Sequence, residues 1–408
     1  MSDLTRELCE KLFSYFKSLD TIAIACSGGV DSMFLTRIAA EVAKYTNIKL
    51  HAVIVDHNLQ PNSSTVAQYT QAILKTWGVN STILVWSHEM PCTGIEEKAR
   101  NARYQLIIDY CKLNQINHVL LAHHIDDKIE TFFLNAMRGT GLTGLSSMRE
   151  KTNKDGIEFF RPMVFLLDKR QIIQYMQTYS LPWFEDKTNQ DTKFTRNNIR
   201  KMLNLTQQQK TGILQTIQNI ENECNRKDKY VKGFCSKNVQ KEMLGVKLPA
   251  DVLTVEDFSL FREIIKKLLL FIFPYSGLEL RQSLIKNLHN WLVRDNCKTT
   301  LMHCMFVKSQ NMLHIIPEYK KLCSLKVKKD FYTIWNNILK FQCNMDCLVI
   351  ALGNVSFSVK KRLNIKKPFL EIAHLPVFMQ EDNILAIPHL GIFNDKNFAI
   401  LFYENHSS

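Results

Sequence analysis

Two stretches hold the residue types that do chemistry in this chain: Ser27-Gly28-Gly29-Val30-Asp31-Ser32, and farther on His123-His124-Ile125-Asp126-Asp127-Lys128-Ile129-Glu130. The first stands between an apolar run at 22–25, read as a buried strand, and a segment at 33–43 with apolar residues at helical spacing. A Gly-rich turn opening a helix aims several backbone N–H groups at one point. The helix dipole adds partial positive charge there, so phosphate is the fitting guest. No GxxxxGK[ST] is present, so nothing is built to grip β- and γ-phosphates for ordinary γ-phosphate transfer. The bland alternative is a tight strand-to-helix turn with a serine cap. In the second stretch Asp127 and Glu130, three apart, and Asp126 and Glu130, four apart, share a helical face. Carboxylates grouped in this way suit Mg2+ or an amine. As plain first-turn acids each would instead answer the helix dipole for a few tenths to about 1 kcal/mol.

The elements that must position these residues alternate. Strands are expected at 22–25, 50–55, 82–86 and 118–122, separated by helices near 31–45, 63–77, 95–114 and 126–138, with an amphipathic helix at 4–19 covering one face. Such βαβ alternation implies an α/β fold with a parallel sheet, whose ligands bind beyond the carboxyl ends of the strands. Ser27 follows the first strand, Asp56 and His57 the second, and His123 the last, so the motifs converge on one edge. A helix at 169–180 and a turn at Leu181-Pro182 complete a first domain, 1–205. A linking helix at 206–232 and apolar segments at 255–273 and 278–293 make a helical module, 206–318, and short apolar runs at 348–352 and 384–387 a mixed α/β C-terminal module, 319–408.

Charge divides along the chain. Of 408 residues with net charge +13, positions 1–200 hold 23 Lys and Arg against 21 Asp and Glu, and positions 201–408 hold 29 against 18. A near-neutral catalytic half joined to a basic half suits a polyanion held outside the chemical site, nucleic acid being the first candidate, with a solvated Lys-rich surface as the alternative. Eleven cysteines without a CxxC pair read as free thiols in a reducing compartment. No apolar run approaches the ~20 residues of a membrane span, so a cytoplasmic protein with no membrane partner is expected.

SGGVDS resembles the PP-loop of the N-type ATP pyrophosphatases, which split ATP between its α- and β-phosphates. In order behind it come GIEEKARNARYQL, AHHIDDKIETFFLNAMRGTGLTGL, FRPM and EDKTNQDTKFTRNNIR. This set is similar to that of the tRNA(Ile)-lysidine synthase family and covers the first 200 or so residues; the C-terminal part resembles the family only loosely. The resemblance implies ATP and Mg2+ as cofactors, and free L-lysine and an isoleucine tRNA with a CAU anticodon as substrates. It is compatible with a homodimer. Ser27, Gly28, Gly29, Val30, Asp31 and Ser32 would hold the departing pyrophosphate, with Asp31 near the Mg2+, and Arg103 would sit over the phosphates or the base. Asp127 and Glu130 would bind the lysine ammonium, one of them taking its proton, with His124 and Asp126 in the same pocket and Arg196 and Arg200 on the substrate.

Departures from the family pattern are specific. Where DHGLR is common, this chain has Asp56-His57-Asn58-Leu59-Gln60, so a Gly and an Arg are missing. Asn tolerates a positive φ, which preserves the turn, whereas Gln60 removes a charge contact. Lys128 replaces a frequent Gln and is expected to project to another side of the helix. Arg161-Pro162 and Arg196-Asn197-Asn198-Ile199-Arg200 are retained; the latter also reads as a helix start with solvated arginines. The rival enzyme reading is a tRNA thiolase of the same superfamily, which usually needs CxxC cysteines. The rival from another class is a non-catalytic tRNA-binding protein, which has no need of three acids beside a polyanion.

Overall fold

The computed structural model describes residues 3–58, 63–87, 95–146, 148–185, 205–254, 256–274, 281–292, 294, 298–355, 363 and 372–403. Contacts divide the chain into two compact units, 1–224 and 225–408.

The first unit is built on a six-stranded sheet: β1 (Thr21–Ala25), β2 (Lys49–Asp56), β3 (Asn80–Val85), β4 (His118–Leu120), β5 (Lys151–Lys154) and β6 (Ile157–Phe160), in the order β3-β2-β1-β4-β6-β5. All neighbours are parallel except β5 and β6. Because side chains alternate across a strand, Ile22 and Ile24 of β1 enter one core while Ala23 enters another on the opposite face. Both faces are covered, hence the continuous apolar run at 22–25 rather than an alternating one. The β5–β6 hairpin turns at Asp155 and Gly156, with φ of 52° and 85°. That is the left-handed pair a two-residue turn demands, and Asp-Gly supplies it cheaply.

Helices fill both faces: α1 (Asp3–Phe16), α2 (Val30–Ala43), α3 (Ser63–Thr76), α4 (Ile95–Leu113), α5 (Ile125–Met137), α6 (Leu142–Leu145) and α7 (Lys169–Thr178). Leu8, Leu12 and Phe16, four apart on α1, are buried with Met33 and Phe34 of α2 and Ile172 of α7, while Ile107, Ile108 and Cys111 of α4 cover the other face. Asp168 caps α7 in a reciprocal box: the Gln171 N–H donates to Asp168 Oδ1 at 3.0 Å, and the Asp168 N–H to Gln171 Oε1 at 2.9 Å.

The linking helix is longer than its sequence pattern suggested. It is α8 (Gln207–Asn238), running through the boundary between the units. Within the first unit it is fastened to α5 through Lys128. That ammonium is buried, donates to Glu221 Oε1 and to the Met148 carbonyl at 2.6 Å each, and lies 4.2 Å from the centre of the Phe165 ring. Burial lowers the Lys128 pKa below the usual lysine value, with the Glu221 carboxylate opposing the shift.

The second unit carries antiparallel sheets. Strands β7 (Gln240–Glu242), β8 (Gly245–Pro249), β9 (Lys298–Leu301), β10 (Cys304–Ser309) and β11 (Met312–Pro317) pair in the order β7-β8-β11-β10-β9. With them lie α9 (Asp251–Thr254), α10 (Phe258–Ile272) and α11 (Gln282–Leu292), so the segment read as helical is a mixed layer. Phe261, Ile264, Ile265, Leu268, Leu269 and Ile272 of α10 repeat at three and four and are buried in one core with Val246, Leu248, Phe306 and Ile315. Farther along, β12 (Leu325–Val327), β13 (Thr333–Trp335), β14 (Leu339–Cys343), β15 (Cys347–Ala351), β16 (Pro376–Gln380), β17 (Asn383–Ile387), β18 (Ile392–Phe393) and β19 (Ile400–Tyr403) form two sheets, β12-β15-β16-β17-β18 and β13-β14-β19. The buried Trp335 donates its indole N–H to the Cys323 carbonyl at 2.9 Å.

Removing one partner of a buried ion pair strands the other. Glu221→Ala should destabilise the chain by about 3–5 kcal/mol, and the double change Lys128→Met with Glu221→Leu should restore most of that loss. Urea unfolding of the three proteins, read as a shift of midpoint at constant slope, checks this.

Candidate functional site

The loop after β1 takes its shape from small residues and one hydroxyl. Gly28 has φ +82°, and a Cβ there would fall 2.4 Å from Thr70 Oγ1 of α3, so both the backbone and the space demand glycine. Ser32 Oγ accepts from the Ser27 N–H at 3.1 Å and donates to the Gly29 carbonyl at 2.9 Å, holding the turn against α2. The Phe184 N–H donates to the Gly28 carbonyl at 2.9 Å. Gly29 is the N-cap of α2 and offers no side chain to its first turn. The N–H groups of Val30, Asp31 and Ser32 lie in that first turn, where a helix has no acceptor of its own, and an anion suits them.

From the loop the site extends through Asp31. Its Oδ2 pairs with Lys169 Nζ, from the start of α7, at 2.6 Å, and its buried Oδ1 has no hydrogen-bond partner and lies 3.6 Å from His124 Nε2. His124 is buried at the entry to α5 among three carboxylates: Nε2 is also 3.4 Å from Asp127 Oδ2, and Nδ1 is 3.5 Å from Asp126 Oδ2. Asp127 accepts from the His124 N–H at 3.2 Å and so caps α5. Asp126 accepts the Lys169 N–H at 2.8 Å and pairs with Lys210 Nζ of α8 at 2.6 Å. Burial acts to raise the Asp126 pKa, but the Lys169 N–H and the Lys210 ammonium outweigh it, so the carboxyl sits below its ordinary value and stays ionised. Burial drives His123 the other way, down to about 4, leaving a neutral imidazole at physiological pH.

A cavity of about 650 Å³ opens beside this cluster. Asp126, Glu130, Lys169, Lys210 and His124 give it polar groups, and Ile129, Ile173 and Leu205 give it an apolar wall. Its size is that of a small-molecule site. Of the acids read from the sequence, Asp126 and Glu130 line this cavity, while Asp127 turns back onto the helix terminus. Arg103 belongs to a different part of the edge: its Nε and one terminal nitrogen lie 3.0 and 2.9 Å from His57 Nε2, beyond the end of β2. Arg161 is buried and serves the hairpin, donating to the Arg149 carbonyl at 3.1 Å and to Thr152 Oγ1 at 2.9 Å. Arg196, Arg200 and Gln60 lie outside the described residues. Sequence reasoning missed Lys169 and Lys210. Lys169 carries a faint signal, since it follows the capping Asp168; Lys210, in a polar Gln-rich segment, carries none.

As to metal, the buried, unpartnered Asp31 Oδ1 is the oxygen that would be offered to a Mg2+ brought in with a nucleotide, a hard cation that takes oxygen ligands. Among the described residues no group of three His, Cys, Asp or Glu could hold a metal without such help.

Comparison with known proteins places the chain in a family. A profile described as a PP-loop domain matches residues 2–208. The chain is 30% identical to the tRNA(Ile)-lysidine synthase of Wolbachia pipientis wMel, over 92% of this chain and 90% of that protein. The chain belongs to the tRNA(Ile)-lysidine synthase family. A second member, from Rickettsia bellii (strain OSU 85-389), is 29% identical over 96% of this chain and 94% of its own. Among solved structures, a U34-tRNA thiolase from Methanococcus maripaludis aligns with 53% of this chain and 78% of its own at 14% identity and a TM-score of 0.46. Within the lysidine synthase pattern, Asn58 stands at the Gly position with φ 49°, and its N–H donates to Asp56 Oδ1 at 2.9 Å, so the turn survives the substitution.

Gly28→Ala should weaken ATP binding and cost about 1–3 kcal/mol of stability through its left-handed φ and its clash with Thr70. Adding Thr70→Ala should recover the clash but not the backbone strain. Chemical unfolding with a parallel ATP titration reads both.

Proposed function

We propose that this chain ligates free L-lysine to C2 of the wobble cytidine in an isoleucine tRNA with a CAU anticodon, by way of an adenylated tRNA, forming lysidine. One observation carries the reading: the cavity with two carboxylates and an apolar wall adjoins the phosphate-type loop, two of its lining residues, His124 and Lys169, reaching Asp31. Lysine presents an ammonium on a four-carbon stem; Glu130, and Asp126 where Lys210 yields it, would meet the charge, and Ile129, Ile173 and Leu205 the stem.

The chemistry divides between the two halves of the site. Cytosine O2 forms a bond to the α-phosphorus of ATP, and the α–β bridging bond breaks with loss of pyrophosphate. Backbone N–H groups at the start of α2 stabilise the charge gathering on the departing group, and Asp31 would hold the Mg2+. That ion, when bound, supplies charge neutralisation between phosphate oxygens. Next the lysine side-chain nitrogen bonds to C2, the C2–O2 bond breaks, and AMP leaves with the oxygen. An ammonium of ordinary pKa about 10.4 must first lose a proton, and Glu130, on the cavity wall, is the carboxylate we assign to take it. His124, among Asp31, Asp126 and Asp127, holds the loop and the amine pocket in register. The basic second half of the sequence would carry the tRNA backbone, and we place the enzyme in the cytoplasm, where its substrates are.

The rival thiolase reading usually needs CxxC cysteines, and this sequence has no such pair; the thiol next to the loop is a core residue. Burial raises the pKa of this Cys26, so it stays a protonated core thiol, 3.8 Å from Ser32 Oγ.

Glu130→Gln separates the two steps. The amide keeps the shape but neither attracts an ammonium nor accepts a proton, so the variant should adenylate the tRNA and then stall, with lysine transfer down at least ~10²-fold. Mass analysis of the tRNA should show the adenylated species, its conversion partly recovering at high lysine and high pH. A variant that adenylates nothing would move Glu130 to the ATP half of the reaction.

A further inference from the structure

The cavity assigned above to the lysine amine already contains an ammonium of this chain. Lys210, in the first turns of α8, places Nζ 2.6 Å from Asp126 Oδ1 and 3.3 Å from Asp168 Oδ2, and it lines the same cavity as Glu130 and His124. Its side chain is only 18% exposed, and those of Asp126 and Asp168 are 24% and 7%, so water screens the group weakly. Asp126 Oδ2 meanwhile takes the Lys169 N–H. Both oxygens of this carboxylate are therefore engaged by the chain itself, and an incoming ammonium meets a neutralised acid and a like charge.

Helix α8 itself is fixed in place. Lys210 and Glu221 are eleven residues apart, about three turns, and so face the same side of the helix. Lys210 reaches Asp126 of α5 while Glu221 holds Lys128 of the same helix. Two ion pairs of opposite polarity thus pin α8 to α5, and Asp168 is a second carboxylate within reach of Lys210 Nζ besides Asp126.

We propose that Lys210 is an internal occupant of the amine subsite, competing with substrate for Asp126 and thereby setting the affinity of the cavity for a primary amine. The proposal rests on the lysine-ligating reading and goes beyond it by naming the residue that tunes it.

The test measures binding of free L-lysine to the full chain by calorimetry, without tRNA or ATP, alongside the KM for lysine in the complete reaction. Lys210→Met removes the competing charge and should tighten lysine binding about tenfold, with KM falling in parallel. Lys210→Gln, which keeps a donor toward Asp126, should tighten it in the same direction should the methionine variant fold poorly, and Lys210→Arg should return affinity toward the original value. Unchanged or weaker lysine binding in the uncharged variants overturns the proposal, as does absence of binding in all of them. Failure of the ligation reading is a separate result: lysine that never enters tRNA in the unaltered protein.

Discussion

A continuous chain of close polar contacts at the carboxyl edge of the six-stranded sheet is the constraint from which the site follows. Lys169, Asp31, His124, Asp126 and Lys210 come from α7, α2, the entry to α5, α5 and α8, and each is within 3.6 Å of the next. Partly desolvated charges are costly unless paired, so the five residues fix four helix ends relative to one another. Each of those ends is also the place where a helix leaves backbone donors unsatisfied. The Gly-rich turn and the cavity beside it are thus made by one construction, and moving either would unpair the other.

That construction needs a rigid support, which α5 supplies. Its first turn carries Asp126, Asp127 and the buried Lys128, and Ile129 and Glu130 follow on the part that meets the cavity. Lys128 is the residue that ties this helix to α8 and to the Met148 carbonyl, so a cation at the back of α5 steadies the acids at its front. The arrangement links stability to chemistry without any contact between Lys128 and the cavity.

Much of this was legible in the sequence. Continuous apolar runs followed by helical spacing located β1, β2, β3, β4 and their helices to within a few residues, and the convergence of Ser27, Asp56 and His123 on one edge followed from βαβ alternation and their places just after the strands. The β5–β6 hairpin went unread although Asp155-Gly156 announces its turn, because Lys151–Lys154 is a polar edge strand with no apolar alternation. The short strands around α10 and α11 were hidden by the stronger helical signal beside them. Within the site, helical spacing grouped both Asp126 and Asp127 with Glu130. It could not foresee that the capping demand of α5 would draw Asp127 back to the His124 N–H and leave Asp126 on the cavity wall. Lys210 was beyond reach, since a lysine far along the chain in a polar segment declares its partner only when the helix docks.

The central proposal is one site that joins an ATP-driven activation to an amine pocket. Incubating the full chain with ATP, Mg2+, purified isoleucine tRNA bearing a CAU anticodon and labelled L-lysine tests this most directly, with label retained in the tRNA as the readout. The account predicts one lysine incorporated per tRNA, with AMP and pyrophosphate released in equal amount and none of the three appearing when the tRNA is omitted. Absence of label from the cognate tRNA with every component present would contradict it.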